Sequence, residues 1–413
     1  MLTVLDNCKL AKKSVGYISS LTTAQKNEML SLIAGGLIEN AERIIRANAI
    51  DLAQNADKPK NILDRLALNE SRIKGMSEGL IKLVELDDPV GETVEETENY
   101  AGLKLKKVRV PFGVIGIIYE ARPNVTVDAI GLCLKTGNAV VLRGSRDAIN
   151  SNREIVAVIS QILEKNGFNS NFIQLIEDIS HENSAVLMQA RGLVDVLIPR
   201  GSARLIRAVV EQSTVPVIET GTGNCHAYIH ETADIDLAVK VIVNGKLRRT
   251  SVCNATESIL VDEKIASVAL PKVLGALMVR DVTVYGCKKT KEICPMVEIA
   301  TEEDFATEYL DTKISCKVVS DYVEAVNHIN KYGSKHSDSI IATDETAVKY
   351  FMQFVDSAAV YHNCSTAFTD GFEFGLGAEM GISTQKLHAR GPLGLRELTS
   401  IKYCIYGNGQ TRK

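Results

Sequence analysis

The 413-residue chain is 45% hydrophobic and carries 47 Lys+Arg against 51 Asp+Glu, a formal charge of −4; that is enough apolar content for a core spread over two or three structural units, and with no basic block it excludes a nucleic-acid surface and points to small-molecule partners. Nine cysteines without CxxC spacing or a His/Cys cluster argue against a disulfide framework or a metal site and fit reduced thiols in the cytoplasm. Met1-Leu2-Thr3-Val4-Leu5-Asp6-Asn7 has neither a basic n-region nor an apolar h-region, and no apolar run nears the roughly 18 residues of a membrane span, so export and insertion are not expected.

Residues 1 to about 88 carry helical periodicity. Leu30, Ile33, Ala34, Leu37 and Ile38 form one apolar stripe, and Thr22-Thr23-Ala24-Gln25 has the form of a capped start. From Gly91 to Pro111 the period changes to two: Thr93, Val94, Leu103, Leu105, Val108 and Val110 alternate with polar residues around a Tyr100-Ala101-Gly102 turn, which predicts a hairpin. Residues 112 to about 225 alternate short β-branched runs (Gly113 to Ile118, Ala139 to Leu142, Phe172 to Ile176, Asp195 to Ile198) with helical segments, the pattern of a parallel sheet covered by helices. A second such alternation runs from about 226 to 387 and includes Ser258 to Val261, Cys316 to Val319 and Ser339 to Ala342. The fold class is therefore α/β with two αβ domains. The strand-like tail Ser400 to Tyr406 is left to pair with the hairpin or with another subunit.

Candidate chemistry collects in the loops that follow these strands. After the first, Tyr119-Glu120-Ala121-Arg122-Pro123-Asn124-Val125-Thr126 offers the Arg122 guanidinium and the Asn124 amide at the sheet edge where such folds bind ligands. After the second, Arg143-Gly144-Ser145-Arg146 puts two guanidinium groups at the same edge, with a solvated surface as the alternative reading. Ile198-Pro199-Arg200-Gly201-Ser202-Ala203 is a strand, a Gly-Ser turn and a helix: a place where unpaired N–H groups meet phosphate, or an ordinary βα turn. Glu219-Thr220-Gly221-Thr222-Gly223-Asn224 opens a glycine-rich turn on a carboxylate.

Thirty-odd residues later, Ser251-Val252-Cys253-Asn254-Ala255-Thr256-Glu257 sets one cysteine among small and polar residues just before an apolar strand, downstream of Arg248 and Arg249. A core cysteine has apolar neighbours, whereas a thiolate nucleophile needs cations or helix amides nearby. Cys253 is thus the candidate nucleophile and Glu219 the candidate acid/base. Toward the C-terminus, Glu373 to Thr384 and His388 to Gly394 concentrate glycines and charges, as a flexible surface loop or as a loop that closes over substrate.

Together with Val110-Pro111-Phe112-Gly113-Val114-Ile115-Gly116, Gly223-Asn224-Cys225-His226 and His388 through Leu395, these residues resemble the aldehyde dehydrogenase superfamily, in which a cofactor-domain glutamate precedes the catalytic cysteine by thirty-odd residues. Within it they are most similar to the gamma-glutamyl phosphate reductase family, over essentially the whole chain. The resemblance implies a Rossmann-like NADP-binding domain over residues 1–91 and 112–225, a catalytic domain over 226–387, and a small β oligomerisation flap made of the hairpin and tail over 92–111 and 388–413. It also implies a cytoplasmic homo-oligomer working in the second step of proline biosynthesis. There L-glutamyl 5-phosphate, handed over from glutamate 5-kinase, is reduced by NADPH to L-glutamate 5-semialdehyde, with release of phosphate, through a thioester on Cys253.

On this resemblance Cys253, Asn124 and Glu219 are catalytic, Arg143, Gly144, Ser145, Arg146, Gly201 and Ser202 bind the cofactor, Arg122, His226, Ser365, Thr366 and Arg390 bind substrate, and no metal takes part. The Cys253 N–H and the Asn124 amide stabilise the oxyanion, with Arg122 competing for the place near the reacting carbonyl and leaving phosphate. Where NAD-using relatives carry a glutamate for the ribose hydroxyls, Arg143-Gly144-Ser145-Arg146 ends in a cation, which suits a 2′-phosphate and so NADPH over NADH. In hydrolytic relatives Glu219 activates water; phosphate, already anionic, needs no such base. Ala367 stands where these reductases carry an arginine, leaving Arg390 or another base for the substrate α-carboxylate. Gly245 stands where alanine is common, a matter of packing. The alternative functions are a hydrolytic or coenzyme A-acylating aldehyde dehydrogenase and a non-catalytic protein that keeps the fold.

Overall fold

The computed structural model describes residues 2–412; Met1 and Lys413, at the ends of the expected cofactor domain and tail, lie outside them. Contacts divide the chain into two units. The first comprises the chain up to Glu219, Gly375–Gly381 and everything from Leu393 onward; the second comprises Thr220–Phe374 and Ile382–Pro392. The division falls at Glu219/Thr220, a few residues ahead of the expected one, and the hairpin and most of the tail cluster with the first unit.

In the first unit five helices precede any strand: α1 (Val4–Ser20), α2 (Thr23–Glu39), α3 (Ala41–Gln54), α4 (Lys60–Leu66) and α5 (Glu70–Glu85). The capping box at Thr22 is present: its hydroxyl accepts the Gln25 N–H at 3.3 Å, and Gln25 Oε1 accepts the Thr22 N–H at 2.9 Å. Of the apolar stripe, Leu30, Ile33, Ala34 and Leu37 are buried while Ile38 is exposed. The hairpin of β1 (Thr93–Glu98) and β2 (Lys104–Pro111) follows, antiparallel as its alternation requires. Next come β3 (Val114–Tyr119), α6 (Asn124–Lys135), β4 (Ala139–Arg143), α7 (Ile149–Lys165), β5 (Ile173–Leu175), α8 (His181–Met188), β6 (Val196–Arg200) and α9 (Ala203–Gln212). Their four strands form a parallel sheet in the order β5-β4-β3-β6. α6 and α7 pack on it, and α2, α3 and α5 lie against α6 and α7.

The second unit strings β7 (Cys225–Ile229), α10 (Ile235–Leu247), β8 (Thr256–Asp262), α11 (Ala266–Met278), β9 (Thr283–Gly286), α12 (Lys288–Ile293), β10 (Glu298–Ile299), α13 (Glu302–Ala306), β11 (Lys313–Val319), α14 (Tyr322–Tyr332), β12 (Ser337–Ile341), α15 (Glu345–Phe354) and β13 (Ala359–His362) into a seven-stranded parallel sheet, β10-β9-β11-β8-β7-β12-β13. β8 lies at its centre. Its Ile259 and Val261 join one core cluster with Leu270 and Val273 of α11, and Leu260 joins another with Tyr228, Ile340 and Phe351. This is the two-residue period of a strand buried on both faces.

The two glycine-rich C-terminal segments meet as an antiparallel pair, β14 (Ile382–Ser383) with β15 (Gly391–Pro392). β16 (Thr399–Tyr406) then returns to the first unit as the third strand of an antiparallel β1-β2-β16 sheet. Of the two partners left open for the tail, the hairpin is the one it takes within this chain.

Candidate active site

Cys253 lies in the loop between α10 and β8 and is half-buried. Three successive carbonyls of that loop are held. The Val252 carbonyl accepts the Ala255 N–H at 3.2 Å, the Cys225 thiol donates to the Cys253 carbonyl at 3.2 Å, and Thr366 Oγ1 donates to the Asn254 carbonyl at 2.8 Å. Asn254 Nδ2 in turn donates to the carbonyls of Ala367 (3.3 Å) and Thr369 (3.0 Å). Because each peptide is planar, fixing the carbonyls of residues 252 and 253 also fixes the N–H groups of Cys253 and Asn254. Two neighbouring backbone donors are thereby oriented by the protein's own hydrogen bonds.

Gly223 backs this loop so closely that a Cβ there would overlap the Cys253 carbonyl. The glycine-rich turn and the cysteine loop are therefore one packed object, although their sequences are thirty residues apart. Cys225, on the same turn, is buried, and burial, reinforced by the nearby Asp338 carboxylate, pushes its thiol far above the ordinary range. It serves as a hydrogen-bond donor to the Cys253 carbonyl, while Cys253 itself is half-buried.

Of the residues expected at the substrate, Ser365, Thr366 and His226 are turned into the second unit. Ser365 Oγ accepts the Ala367 N–H at 3.2 Å, and Thr366 lies 3.2 Å from Thr256 Oγ1 as well as holding Asn254. His226 is fully buried, with its Nδ1 3.0 Å from the Asn224 carbonyl and its backbone N–H donating to Asp338 at 2.7 Å. Thr366 thus holds the cysteine loop and His226 the end of the glycine-rich turn, while Ser365 holds the backbone at Ala367. Ala367 is buried, and what it offers is the carbonyl that holds Asn254. Arg390 pairs with Asp356 at 2.9 Å, and Lys386 (2.9 Å) and Lys335 (3.4 Å) converge on the same carboxylate. Hydrogen bonding from Lys386, aided by Arg390, holds Asp356 down at about 2, so one anion sits among three cations. At Gly245 a Cβ would overlap Thr256 Oγ1, so glycine lets α10 lie against β8 beside Thr256.

In the first unit Asn124 opens α6, exposed, and its Nδ2 donates to Asp128 at 3.1 Å. Burial raises the Asp128 carboxyl to about 6 against the opposing pull of Asn124 and Arg200. Arg122 is half-buried two residues before α6, and Glu219 is half-buried just past the Val217 bridge to Leu197 of β6. Beyond β4, Arg143 braces the loop by donating to the carbonyls of Ile179 (2.7 Å) and Gly144 (3.1 Å), whereas Arg146 is exposed. A Cβ at Gly144 would overlap the Asn152 side chain, and the buried Ser145 hydroxyl has no hydrogen-bond partner. At α9, Ser202 caps the helix, and Glu120 accepts both its N–H (2.8 Å) and its O–H (2.7 Å). Gly201 makes room for that carboxylate, since a Cβ would come within 2.7 Å of it. The loop after β4 thus offers a free guanidinium, a glycine for close backbone approach and an unpartnered hydroxyl, a donor set that fits a nucleotide phosphate. The N-terminus of α9 already holds an internal anion.

Sequence reading passed over four residues with a part here. Glu120 stood in a quoted motif without a role, and Asp128, one helical turn after Asn124, carried only its spacing. Lys246 forms a fully buried ion pair with Glu257 at 2.5 Å. Its signal is periodicity, because Ala238, Ile242 and Lys246 continue one buried helical stripe. Glu308 receives the Gly223 N–H at 2.6 Å, a contact across 85 residues that no local pattern announces. Among the described residues no group of His, Cys, Asp and Glu could hold a metal ion, and no helix is long and apolar enough to cross a membrane.

Residues 3–315 match the aldehyde dehydrogenase family. The chain is 51% identical to the gamma-glutamyl phosphate reductase of Moorella thermoacetica, covering 100% of this chain and 99% of that one. It is 52% identical to the protein of the same name from Clostridium perfringens, over 98% of each. The crystal structure of the gamma-glutamyl phosphate reductase from Thermotoga maritima matches with a TM-score of 0.97 at 44% identity, over 100% of both chains. An acetylating aldehyde dehydrogenase from Geobacillus thermoglucosidasius shares the fold, with a TM-score of 0.70 at 18% identity over 99% and 97% of the two chains.

Proposed function

Because the chain belongs to the aldehyde dehydrogenase family, and within it to the gamma-glutamyl phosphate reductases, we propose that Cys253 carries the reduction of L-glutamyl 5-phosphate to L-glutamate 5-semialdehyde in proline biosynthesis as a covalent thioester. The single observation that carries this reading is the cysteine loop itself. One half-buried thiol stands on a backbone whose carbonyls are fixed by Ala255, Cys225 and Thr366, against a turn that admits only glycine.

The Cys253 thiolate attacks the acyl carbon, the C–O bond to phosphate breaks, and phosphate leaves with the electron pair. The nicotinamide cofactor, when bound, supplies the hydride that turns the thioester carbon into the aldehyde carbon, after which the C–S bond breaks and the thiolate is regenerated. Each step passes through an oxyanion. The fixed Cys253 N–H is the first donor to it and Asn124 the second; losing one such donor typically costs about 3–4 kcal/mol of barrier. Arg122 meets the leaving phosphate, and the cation-rich cluster around Arg390 takes the substrate α-carboxylate in place of the arginine that Ala367 lacks. NADPH is the preferred cofactor, held by the loop from Arg143 to Arg146 and by Gly201 and Ser202. Val94, Tyr403, Ile405 and Tyr406 are exposed on the three-stranded sheet, which supports a subunit contact there in a homo-oligomer. Acyl phosphates hydrolyse in water, so direct handover from glutamate 5-kinase in the cytoplasm suits this substrate.

The test runs the reaction backwards, as NADP-linked oxidation of glutamate 5-semialdehyde. Turnover should require phosphate; turnover without it marks a hydrolytic enzyme, and a requirement for coenzyme A an acylating one. Cys253→Ala should lower kcat at least about 10⁴-fold with the fold intact by circular dichroism. Substantial turnover in Cys253→Ala together with its loss in Cys225→Ala would sink the assignment.

A further inference from the structure

We propose that Glu308 is a positioning residue for the Cys253 nucleophile, acting through Gly223. The chain of contacts is short and lies wholly within the second unit. Glu308 Oε1 accepts the Gly223 N–H at 2.6 Å, a charge-assisted bond at the short end of its range. Gly223 is the residue whose Cα lies against the Cys253 carbonyl, with no space for a side chain between them. The next residue is tied as firmly, since the Asn224 N–H donates to Ser334 at 2.8 Å and its side chain to the carbonyls of Phe305 and Tyr332, both at 2.9 Å. Because Gly223 packs against the Cys253 carbonyl without clearance, the place at which Glu308 and the Asn224 contacts hold it is also the place at which that carbonyl sits.

What holds Glu308 in place is a second, independent arrangement. Leu310, two residues on, has φ +52°, a left-handed conformation that a leucine adopts only when its surroundings impose it. Its N–H donates to Glu257 Oε1 at 3.2 Å, while the other oxygen of Glu257 takes the Lys246 ammonium at 2.5 Å. Both charges of that pair are fully buried. Burial raises Glu257 to about 7 against the pull of Lys246, and burial lowers Lys246 against the pull of Glu257. Tyr309, between the two anchored residues, stacks on Tyr285 with ring centres 5.6 Å apart and donates to Asp304 at 3.0 Å. The segment from Glu308 to Leu310 is thus a rigid strut, bolted to β8 four residues beyond the nucleophile and ending in a carboxylate on the turn that seats it.

The role needs an acceptor in place, with no need for its charge. This rests on Cys253 being the nucleophile, so Cys253→Ala is measured beside the Glu308 variants in full-length protein, by the phosphate-dependent oxidation of glutamate 5-semialdehyde with NADP+. Glu308→Gln keeps an acceptor oxygen at the same reach and should hold kcat within about threefold. Glu308→Asp keeps the charge but withdraws the oxygen by about one bond length; it should lose kcat about ten- to a hundredfold, with KM for the semialdehyde within about threefold and the thermal midpoint unchanged. Glu308→Ala should resemble the aspartate variant, and if it fails to fold the Gln and Asp pair still decides. The reverse order, with Asp active and Gln impaired, overturns the proposal because charge would then be what acts, as does full activity in both. Turnover in Cys253→Ala would instead overturn the assignment of the nucleophile.

Discussion

Arg146 is one exposed guanidinium on the loop after β4, while its neighbour Arg143 is consumed in bracing that loop through the carbonyls of Ile179 and Gly144. Only Arg146 is therefore available to a ribose 2′-phosphate, and a charge-assisted contact of that kind is worth about 1.5–3 kcal/mol, or ten- to a hundredfold in affinity. Wild-type protein should prefer NADPH over NADH in kcat/KM, and Arg146→Glu should shrink or invert that ratio; equal use of both cofactors by the unaltered protein would refute this reading of the loop. Glu219 offers the complementary case. It is half-buried, and the phosphate-linked reaction needs no water-activating base. Glu219→Gln should keep kcat within about tenfold of wild type under conditions where Cys253→Ala is silent, and comparable losses in the two would assign the carboxylate an essential proton transfer. At this scale the sequence is legible where chemistry forces an unusual neighbourhood, as for Cys253 among Ser251, Asn254 and Thr256. It is illegible where the same residue types could face in or out. Ser365, Thr366 and His226 are polar residues in motifs and read as substrate contacts, yet their side chains are buried and hydrogen-bond to groups of the protein itself.

The first turn of α9 shows how an element can be read correctly in form and differently in state. A Gly-Ser turn between strand and helix is where unpaired N–H groups collect, and Ser202 does cap the helix there. The anion at that end is Glu120, which takes both the N–H and the hydroxyl of Ser202. A cofactor diphosphate that used these groups would have to displace a like-charged carboxylate. Glu120→Gln, which removes the charge and keeps the shape, should therefore tighten NADPH binding about tenfold in a calorimetric titration; weaker binding would mean that Glu120 itself receives the cofactor. Strands divide in the same way. β3, β4 and the Ile259–Val261 run of β8 are buried, apolar and rich in β-branched residues, and they stand out from sequence alone. β13 sits half-buried at a sheet edge, and β10 has two residues, both exposed, so neither bears a hydrophobic imprint.

Across the whole molecule, the feature least visible from local pattern is the return of the chain. Hydrophobic period predicts that Thr399–Tyr406 is a strand and says nothing of its partner, because register is a property of two segments distant in sequence. In the structure β16 pairs along the full length of β2, from Thr399 opposite Pro111 to Tyr406 opposite Lys104. The approach is fastened twice, by Asn138 Nδ2 donating to the Leu398 carbonyl at 2.9 Å and by Arg396 paired with Glu92 at 3.0 Å. β2 is thus the middle strand of three, and removing β16 would leave a two-stranded hairpin, which is marginal in water on its own. Deleting residues 399–413 should accordingly raise the hydrogen-exchange rates of the β2 amides by at least about a hundredfold while leaving those of β8, at the centre of the other sheet, unchanged. If β2 kept its protection without the tail, its stability would have to come from β1 alone; if β8 lost protection as well, the two units would share one cooperative unfolding transition.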